Sequence, residues 1–363
     1  MNESNMWKET DEEILQQIPE KLLTWYDKNA RVLPWREDPR PYRVWVSEIM
    51  LQQTRVEAVK PYFERFLKAL PTVADLAQAP EEQLLKLWEG LGYYNRVRNL
   101  QRGARAVMAE HGGVIPVSFE ALKKLPGIGD YTAGAIGSIA FQIPVPAVDG
   151  NVLRVISRVL YRRDNILDAK VKRRIEGEIK EILPERTGDF NQSLMELGAT
   201  VCLPNGAPKC NECPLQELCR AHLVGDEESL PVKTKAKKRK IEQRTVFLLV
   251  CDGKIALRKR PEKGLLAGLW ELPSQEGMLG CAEAGKLLQT WGVRTLGELQ
   301  KQTDAKHIFS HAEWHMTCWY VEAALDPDAD VKELIWVSRK ELDQDVALPA
   351  AFKTYRKVIE KIL

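Results

Sequence analysis

Apolar residues recur at three- and four-residue intervals from the start of the chain to about residue 200, and from Arg244 onward they alternate instead. The first stripe, Ile14, Leu15, Ile18, Leu22, Leu23 and Tyr26, predicts a packing helix over 11–28. A second helical run covers 42–66, with a break expected near Arg55. Three helices are expected between Pro71 and Glu110, punctuated by Gly90 and Gly92, and others from about Asp130 to before Pro144, over 151–160, through the charged stretch 170–180, and over 189–200. The alternating part predicts strands over 245–251 and 254–259, joined at Asp252-Gly253 in the manner of a two-residue hairpin. Further strands are expected at 270–273 and 314–323, and helices over 282–291 and 350–362.

The change of period divides the chain into an all-α part, 1–225, a linker, 226–243, and a mixed α+β part, 244–363. At 363 residues two domains are the natural expectation. The linker carries Lys233, Lys235, Lys237, Lys238, Arg239 and Lys240 without apolar periodicity, which suits a solvated tether or one that skims DNA. Net charge adds little, since 53 Lys and Arg oppose 51 Asp and Glu. No basic start precedes an apolar run, and no segment approaches the ~20 apolar residues of a membrane span. A soluble, cytoplasmic protein, nucleoid-associated in a bacterium, is therefore expected.

Chemistry concentrates in a few stretches. Leu125-Pro126-Gly127-Ile128-Gly129 puts two glycines at a turn that opens a helix, so that backbone N–H groups face outward where a phosphate can sit. Asp149 follows, at the start of the next predicted helix. Glu48 stands among Trp45, Val46, Ile49, Met50 and Leu51, where desolvation favours the protonated acid, although most helical glutamates are simply solvated. Gln52 shares its face, with Gln53 and Thr54 alongside. In Gly90-Leu91-Gly92-Tyr93-Tyr94-Asn95-Arg96-Val97-Arg98, flat rings adjoin cations, a pairing suited to nucleic acid as well as to a core beneath a basic surface. The loop Arg31-Val32-Leu33-Pro34-Trp35-Arg36 could line a pocket or plug a core, and Gln192 and Glu196 share one helix face. Of seven cysteines, Cys202, Cys210, Cys213 and Cys219 cluster among prolines. Such spacing suits zinc or an iron-sulfur cluster equally.

Leu-Pro-Gly-Ile-Gly followed by Val148-Asp149 resembles the helix-hairpin-helix and catalytic aspartate of the endonuclease III superfamily of DNA glycosylases. Trp45-Val46-Ser47-Glu48-Ile49-Met50-Leu51-Gln52-Gln53-Thr54 and Trp88-Glu89-Gly90-Leu91-Gly92-Tyr93-Tyr94 are similar to segments of its adenine-specific, MutY-type members. The resemblance implies a monofunctional adenine glycosylase, a monomer acting on double-stranded DNA with A:8-oxoguanine or A:G mispairs. Glu48 would then protonate the adenine, Asp149 stabilise the sugar cation, and Tyr131 belong to the same catalytic group. Arg31, Leu33, Trp35 and Gln192 would grip the extruded base. Gln52, Gln53, Thr54, Tyr93, Tyr94, Arg96, Arg98, Gly127, Gly129, Asn151 and Glu196 complete the expected DNA- and substrate-binding set. The four cysteines would hold one 4Fe-4S cluster, with a first gap one residue longer than the family's usual six.

Residues 244–363 resemble a Nudix fold that lacks its catalytic glutamates, since Gly277 and Glu283 fit but Trp291 and Gly292 occupy the Arg-Glu positions. Magnesium-dependent hydrolysis is thereby disfavoured. Phe309-Ser310-His311 resembles the loop with which MutY-type enzymes sense 8-oxoguanine. Two rivals stand beside this reading. A lyase of the endonuclease III kind needs a lysine where the hairpin runs Gly129-Asp130-Tyr131, although Lys123 and Lys124 lie close; an inert iron-sulfur binder of damaged DNA would not need both Glu48 and Asp149.

Overall fold

A computed structural model describes residues 7–234, 239–325 and 334–363; Lys235, Lys237 and Lys238 of the basic linker lie outside the described residues. Helices α1 (Asp11–Asn29), α2 (Pro34–Glu37), α3 (Pro41–Leu51), α4 (Val56–Ala69), α5 (Val73–Gln78), α6 (Glu81–Leu87), α7 (Asn95–His111), α8 (Phe119–Lys124), α9 (Asp130–Ala135), α10 (Gly150–Val159), α11 (Ala169–Glu181), α12 (Thr187–Thr200) and α13 (Arg220–Leu223) account for the helical period. Thr10 starts α1 with a capping box, accepting from Glu13 N while Glu13 accepts from Thr10 N. The run expected over 42–66 is two helices. Gln53 leaves α3 with φ of +59°, which no helix accommodates, and Arg55 resumes as the cap of α4.

The chain forms two compact units. One comprises the chain up to Gln78 together with the stretch from Arg98 into the linker; the other joins Ala79–Val97 to the chain beyond the linker. In the first, α10 is the hub. Val152, Val155, Ile156 and Val159 are buried against Ile14, Ile18 and Leu22 of α1, Leu194 and Leu197 of α12, and Ile175 and Ile179 of α11.

The second unit is built on a mixed sheet ordered β3-β2-β1-β7-β5, in which β1 (Lys240–Cys251), β2 (Lys254–Lys259), β3 (Trp270–Glu271), β4 (Ser274–Glu276), β5 (Val293–Thr295), β6 (Gln300–Ile308), β7 (Ala312–Leu325) and β8 (Leu334–Ser338) take part. β1 and β7 run parallel and the other pairs antiparallel. Residues of β1 alternate between faces. Val246, Leu248 and Val250 join Tyr355 and Ile359 of α16 (Lys353–Ile362), whereas Phe247 and Leu249 join Ala284 and Leu288 of α14 (Cys281–Thr290). α15 (Arg339–Gln344) lies between β8 and α16 in the chain.

β1 starts at Lys240, five residues earlier than its alternation suggests, because pairing with β7 begins there, Lys240 opposite Ala312. β6 has no apolar alternation at all. Its partner β7 supplies the pattern, so the strand was invisible in the sequence of Gln300–Ile308. Trp291 stands edge-on to Phe247 with ring centroids 5.3 Å apart, and Glu283 accepts from Gly280 N as a helix cap. Two positions of the Nudix signature, that of its arginine and that of its first glutamate, are thus spent on packing and capping. No helix among the described residues is long and apolar enough to cross a membrane.

Candidate active site

Three chain segments of the first unit converge on a pair of carboxylates. α3 carries Glu48, 5 % exposed, on a helix whose other buried residues are nearly all apolar. The turn Pro126-Gly127-Ile128-Gly129 then lays α9 against α3. Gly127 has φ of +81°, and a Cβ there would stand 2.7 Å from Asn99 Cβ, so both backbone and space exclude a side chain. In the first turn of α9, Tyr131 donates its hydroxyl to Glu48 Oε2 at 2.5 Å and touches Met195 Sδ at 3.5 Å. Burial keeps the Tyr131 phenol protonated far above its usual range, which fixes it as the donor.

Burial likewise lifts Glu48 to about 7; the Tyr131 bond and the charge of Arg36 pull the other way, and the charge of Asp149 adds to the rise. The Tyr131 bond engages Oε2, so Oε1 is the oxygen turned to other partners.

Asp149 caps α10. Its Oδ1 accepts from Asn151 N at 2.8 Å and Val152 N at 2.9 Å, and its Oδ2 accepts from Asn151 Nδ2 at 2.7 Å. A helix start should make this carboxylate easy to ionise. The structure qualifies that expectation, because burial outweighs these donors and moves the group above its ordinary value of 3.8. The two acids still occupy opposite environments: Glu48 has one donor in an apolar wall, Asp149 has three.

Beside them, Arg31 donates from Nε (2.6 Å) and Nη2 (2.9 Å), and Arg36 from Nη2 (2.8 Å), to the buried Glu196; Arg36 Nε also reaches Gln192 Oε1 at 3.1 Å. Burial alone would raise the Glu196 acid, but these guanidinium bonds overcome it and hold the carboxylate ionised. Arg31, Gln192 and Glu196 are thus brought together. Leu33 and Trp35 are both buried, as Glu48 is, and Trp35 stands edge-on to Phe63 at 5.3 Å. Arg36, which the pattern of residues did not single out, is the link between Glu196 and Gln192. Gln52 and Thr54 are half-buried, and Gln53 is exposed at the turn after α3. Gly129 and the partly buried Asn151 frame the two helix starts. Lys123 forms an ion pair with Asp130 at 2.6 Å, which raises the pKa of its amine.

Arg154 connects this region to the cysteines. Arg154 of α10 donates from Nη2 to Asn151 Oδ1 and Gly198 O, and from Nε to Cys202 O, each at 2.8 Å. Cys202, Cys210, Cys213 and Cys219 line one small cavity, and Arg158 Nη1 donates to Cys202 Sγ at 3.2 Å. Burial foremost, then Glu227 for Cys210, with the neighbouring cysteines adding, pushes Cys210 and Cys213 to about 12 and Cys219 to about 11. Thiols so crowded ionise together only around a cation, so the donor set fits a metal centre. Cys210, His222 and Glu227 also bring ligand atoms within 4.8 Å of one another, so the donors alone do not choose the metal.

In the second unit, Gly90 and Gly92 adopt positive φ and deliver Tyr93, itself at φ +49° and 48 % exposed, on a tight turn. Its hydroxyl shares a 2.8 Å hydrogen bond with Ser310 Oγ. Tyr94 is buried. Arg96, expected to seek phosphate, is buried too: it donates to Leu91 O (3.1 Å) and Gly92 O (3.2 Å) and lies over the Trp88 and Tyr93 rings. It braces the turn, and Arg98 remains the half-exposed cation of the pair. Ser310 and His311 are exposed at the reversal between β6 and β7, closed by Phe309 N donating to Ala312 O at 2.8 Å. Phe309 anchors that turn edge-on to Trp314 and His307.

Residues 46–181 match the model of HhH-GPD superfamily base excision DNA repair proteins, and 245–358 that of the NUDIX domain. The chain is similar to the adenine DNA glycosylase of Rattus norvegicus, 36 % identical over 94 % of this chain and 77 % of that one. It is similar also to that of Buchnera aphidicola subsp. Schizaphis graminum, 33 % identical over 93 % and 96 %. Among solved structures, a thermostable thymine-DNA glycosylase superposes with a TM-score of 0.54 at 29 % identity, covering 58 % of this chain and 97 % of that one. Endonuclease III trapped in a covalent DNA intermediate gives 0.52 at 26 % identity, over 60 % and 99 %.

Proposed function

Since the chain belongs to the adenine DNA glycosylase family, we propose that it acts as a monomer on duplex DNA, releasing adenine mispaired with 8-oxoguanine and also with guanine. The observation that carries the mechanism is the split environment of two acids. Glu48, protonated up to about pH 7 and oriented by Tyr131, donates from Oε1 to a ring nitrogen of adenine and turns it into a leaving group. The glycosidic bond then breaks towards an oxocarbenium-like sugar. Asp149, ionised within its three donors, stabilises that cation until water adds.

The base must first leave the stack, at a cost of a few kcal/mol. Tyr93, exposed on its glycine turn, and Gln53 are the side chains suited to fill the vacated space. Arg31 and Gln192 would then meet the extruded base, with Glu196 and Arg36 holding them in place. Ser310 and His311 would test the opposite base. The hairpin at Gly127 and Gly129 suits a backbone phosphate.

Cys202, Cys210, Cys213 and Cys219 would hold a 4Fe-4S cluster, a reading supported by their shared cavity and by membership of the family. Bound there, such a cluster would cross-link the loop and carry redox chemistry that hydrolysis does not need. A lyase reading is weakened by Lys123, whose amine is tied up as an ammonium by Asp130.

The test is single turnover on a duplex with one A:8-oxoguanine pair. Free adenine and an intact abasic strand are expected. Strand cleavage without added base, or no release of adenine, would overturn the proposal.

A further inference from the structure

The segment that delivers Asp149 has little regular structure of its own. Between the helical turn ending at Ala140 and the cap of α10, residues 142–149 form no helix or strand, yet Ala147 and Val148 are buried. Buried backbone without a ladder must find partners elsewhere. One side chain supplies them. Asn191 of α12, 0 % exposed, accepts from Ala147 N at 3.1 Å through Oδ1 and donates through Nδ2 to Val145 O at 2.9 Å and Ser138 Oγ at 2.9 Å. Its amide thus pairs with both neighbours of Pro146, a residue that has no N–H of its own. Ser138, also 0 % exposed, donates its hydroxyl to Gly134 O at 2.7 Å and so closes the network.

Two features sharpen the clamp. Ile136–Ala140 is a π-helical turn, a local widening that often marks functional sites, and Ser138 stands at its centre. The loop also lies directly on α9: a Cβ on Gly134 would stand 2.1 Å from Pro146 O. Backbone contact on one side and the Asn191 amide on the other hold the peptide planes two residues before Asp149.

We propose that Asn191 is a positioning residue for Asp149, fixing the carboxylate against the developing sugar cation by holding Val145 and Ala147. The inference rests on the role of Asp149 in the functional reading above. Asparagine suits the position because it offers an acceptor and two donors on one rigid plane. Leucine has the volume but would strand Ala147 N–H and Val145 C=O without partners. Displacement by about 1 Å remote from the chemistry can cost ~10²-fold in rate, and the role assigned to Asp149 lies in the chemical step rather than in holding the duplex.

The experiment compares the wild type, Asn191→Leu, Asn191→Ala and Asp149→Asn as full chains carrying their metal centre, with rates normalised to titrated active enzyme. The two Asn191 variants should release adenine in single turnover 10- to 100-fold more slowly, with duplex affinity unchanged within about threefold. Hydrogen exchange at the Ala147 amide should accelerate in both, a readout independent of turnover. The alanine variant, with room for a water, keeps the test open if the leucine variant fails to fold. Full rates in folded Asn191 variants, or losses of rate and affinity in equal proportion, would overturn the positioning role. An active Asp149→Asn enzyme would overturn the functional reading itself and the inference with it.

Discussion

The hydroxyl of Tyr131 lies 2.5 Å from Glu48 Oε2, and the acid it touches is nevertheless harder to ionise than a glutamate in water. A hydrogen bond to a carboxylate lowers its pKa, so the net rise to about 7 means that burial dominates. Adenine release should accordingly decline as pH rises through about 7. On the acid side it should decline as Asp149 takes up its proton, at a pH above that of an ordinary aspartate. Glu48→Gln should erase the alkaline limb and lose at least ~10²- to 10⁴-fold in single-turnover rate. A variant turning over near normally would remove Glu48 from the mechanism.

The same residue should burden the fold. Glu48 binds its proton more tightly folded, at about 7, than unfolded, near 4.5, so stability falls as pH rises between those values and the full penalty persists above. Glu48→Gln should therefore melt like the wild type at pH 4 and be more stable at pH 8, by up to about 3 kcal/mol. Calorimetry at the two pH values checks the crossover.

Asp149→Asn should abolish base removal and leave duplex binding nearly intact. Asparagine caps helices as well as aspartate does, so α10 should keep its start while the charge disappears. Equal loss of binding and turnover would point to a damaged scaffold rather than a missing counter-charge.

Arg154→Gln should connect the cysteine loop to catalysis. Its guanidinium spans Cys202 O and Asn151 Oδ1, and Asn151 in turn donates to Asp149. Purified wild type should be brown, with iron and sulfide bound; the variant should lose visible absorbance faster on heating and release adenine more slowly. A colourless, active, zinc-containing wild type would exclude the iron-sulfur assignment.

Replacing Phe309, Ser310 and His311 by alanine should erode the preference for 8-oxoguanine over guanine more than it slows release from A:G, each lost contact costing about 1–3 kcal/mol of discrimination. Competition between the two duplexes measures it. Substitution is a cleaner test than deleting 241–363, since Ala79–Val97 packs as part of the same unit and would lose its support.

Helical periodicity, the hairpin glycines, the cysteine spacing and the Asp-Gly turn were all legible in the chain because each is a local pattern with a local cause. What could not be read depended on distant partners. Arg96 has the composition of a phosphate contact and the surroundings of a brace, and only the fold of the Gly90–Gly92 turn decides between them. Leu33 and Trp35 sit in a loop-like sequence but fill the core. Asn191, Arg154 and Arg36 are polar residues within or beside helices, indistinguishable by spacing from solvated ones; their meaning lies in the atoms they meet, 48 positions away in sequence for Arg154 and Cys202 and 160 for Arg36 and Glu196. β6 borrows its pattern from β7 in the same way.

The distance of 2.1 Å between Pro146 O and a Cβ on Gly134 bears on heredity. Every amino-acid replacement reachable from a glycine codon by one base change brings a Cβ, so the position has no tolerated neighbour in the genetic code. The substitution an unrepaired A:8-oxoguanine pair leaves behind, G to T, would turn that codon into one for valine, cysteine or tryptophan, or into a stop. On the function proposed above, a gene whose product guards against this transversion carries, beside its own active site, a codon that the transversion would ruin at either of its first two bases.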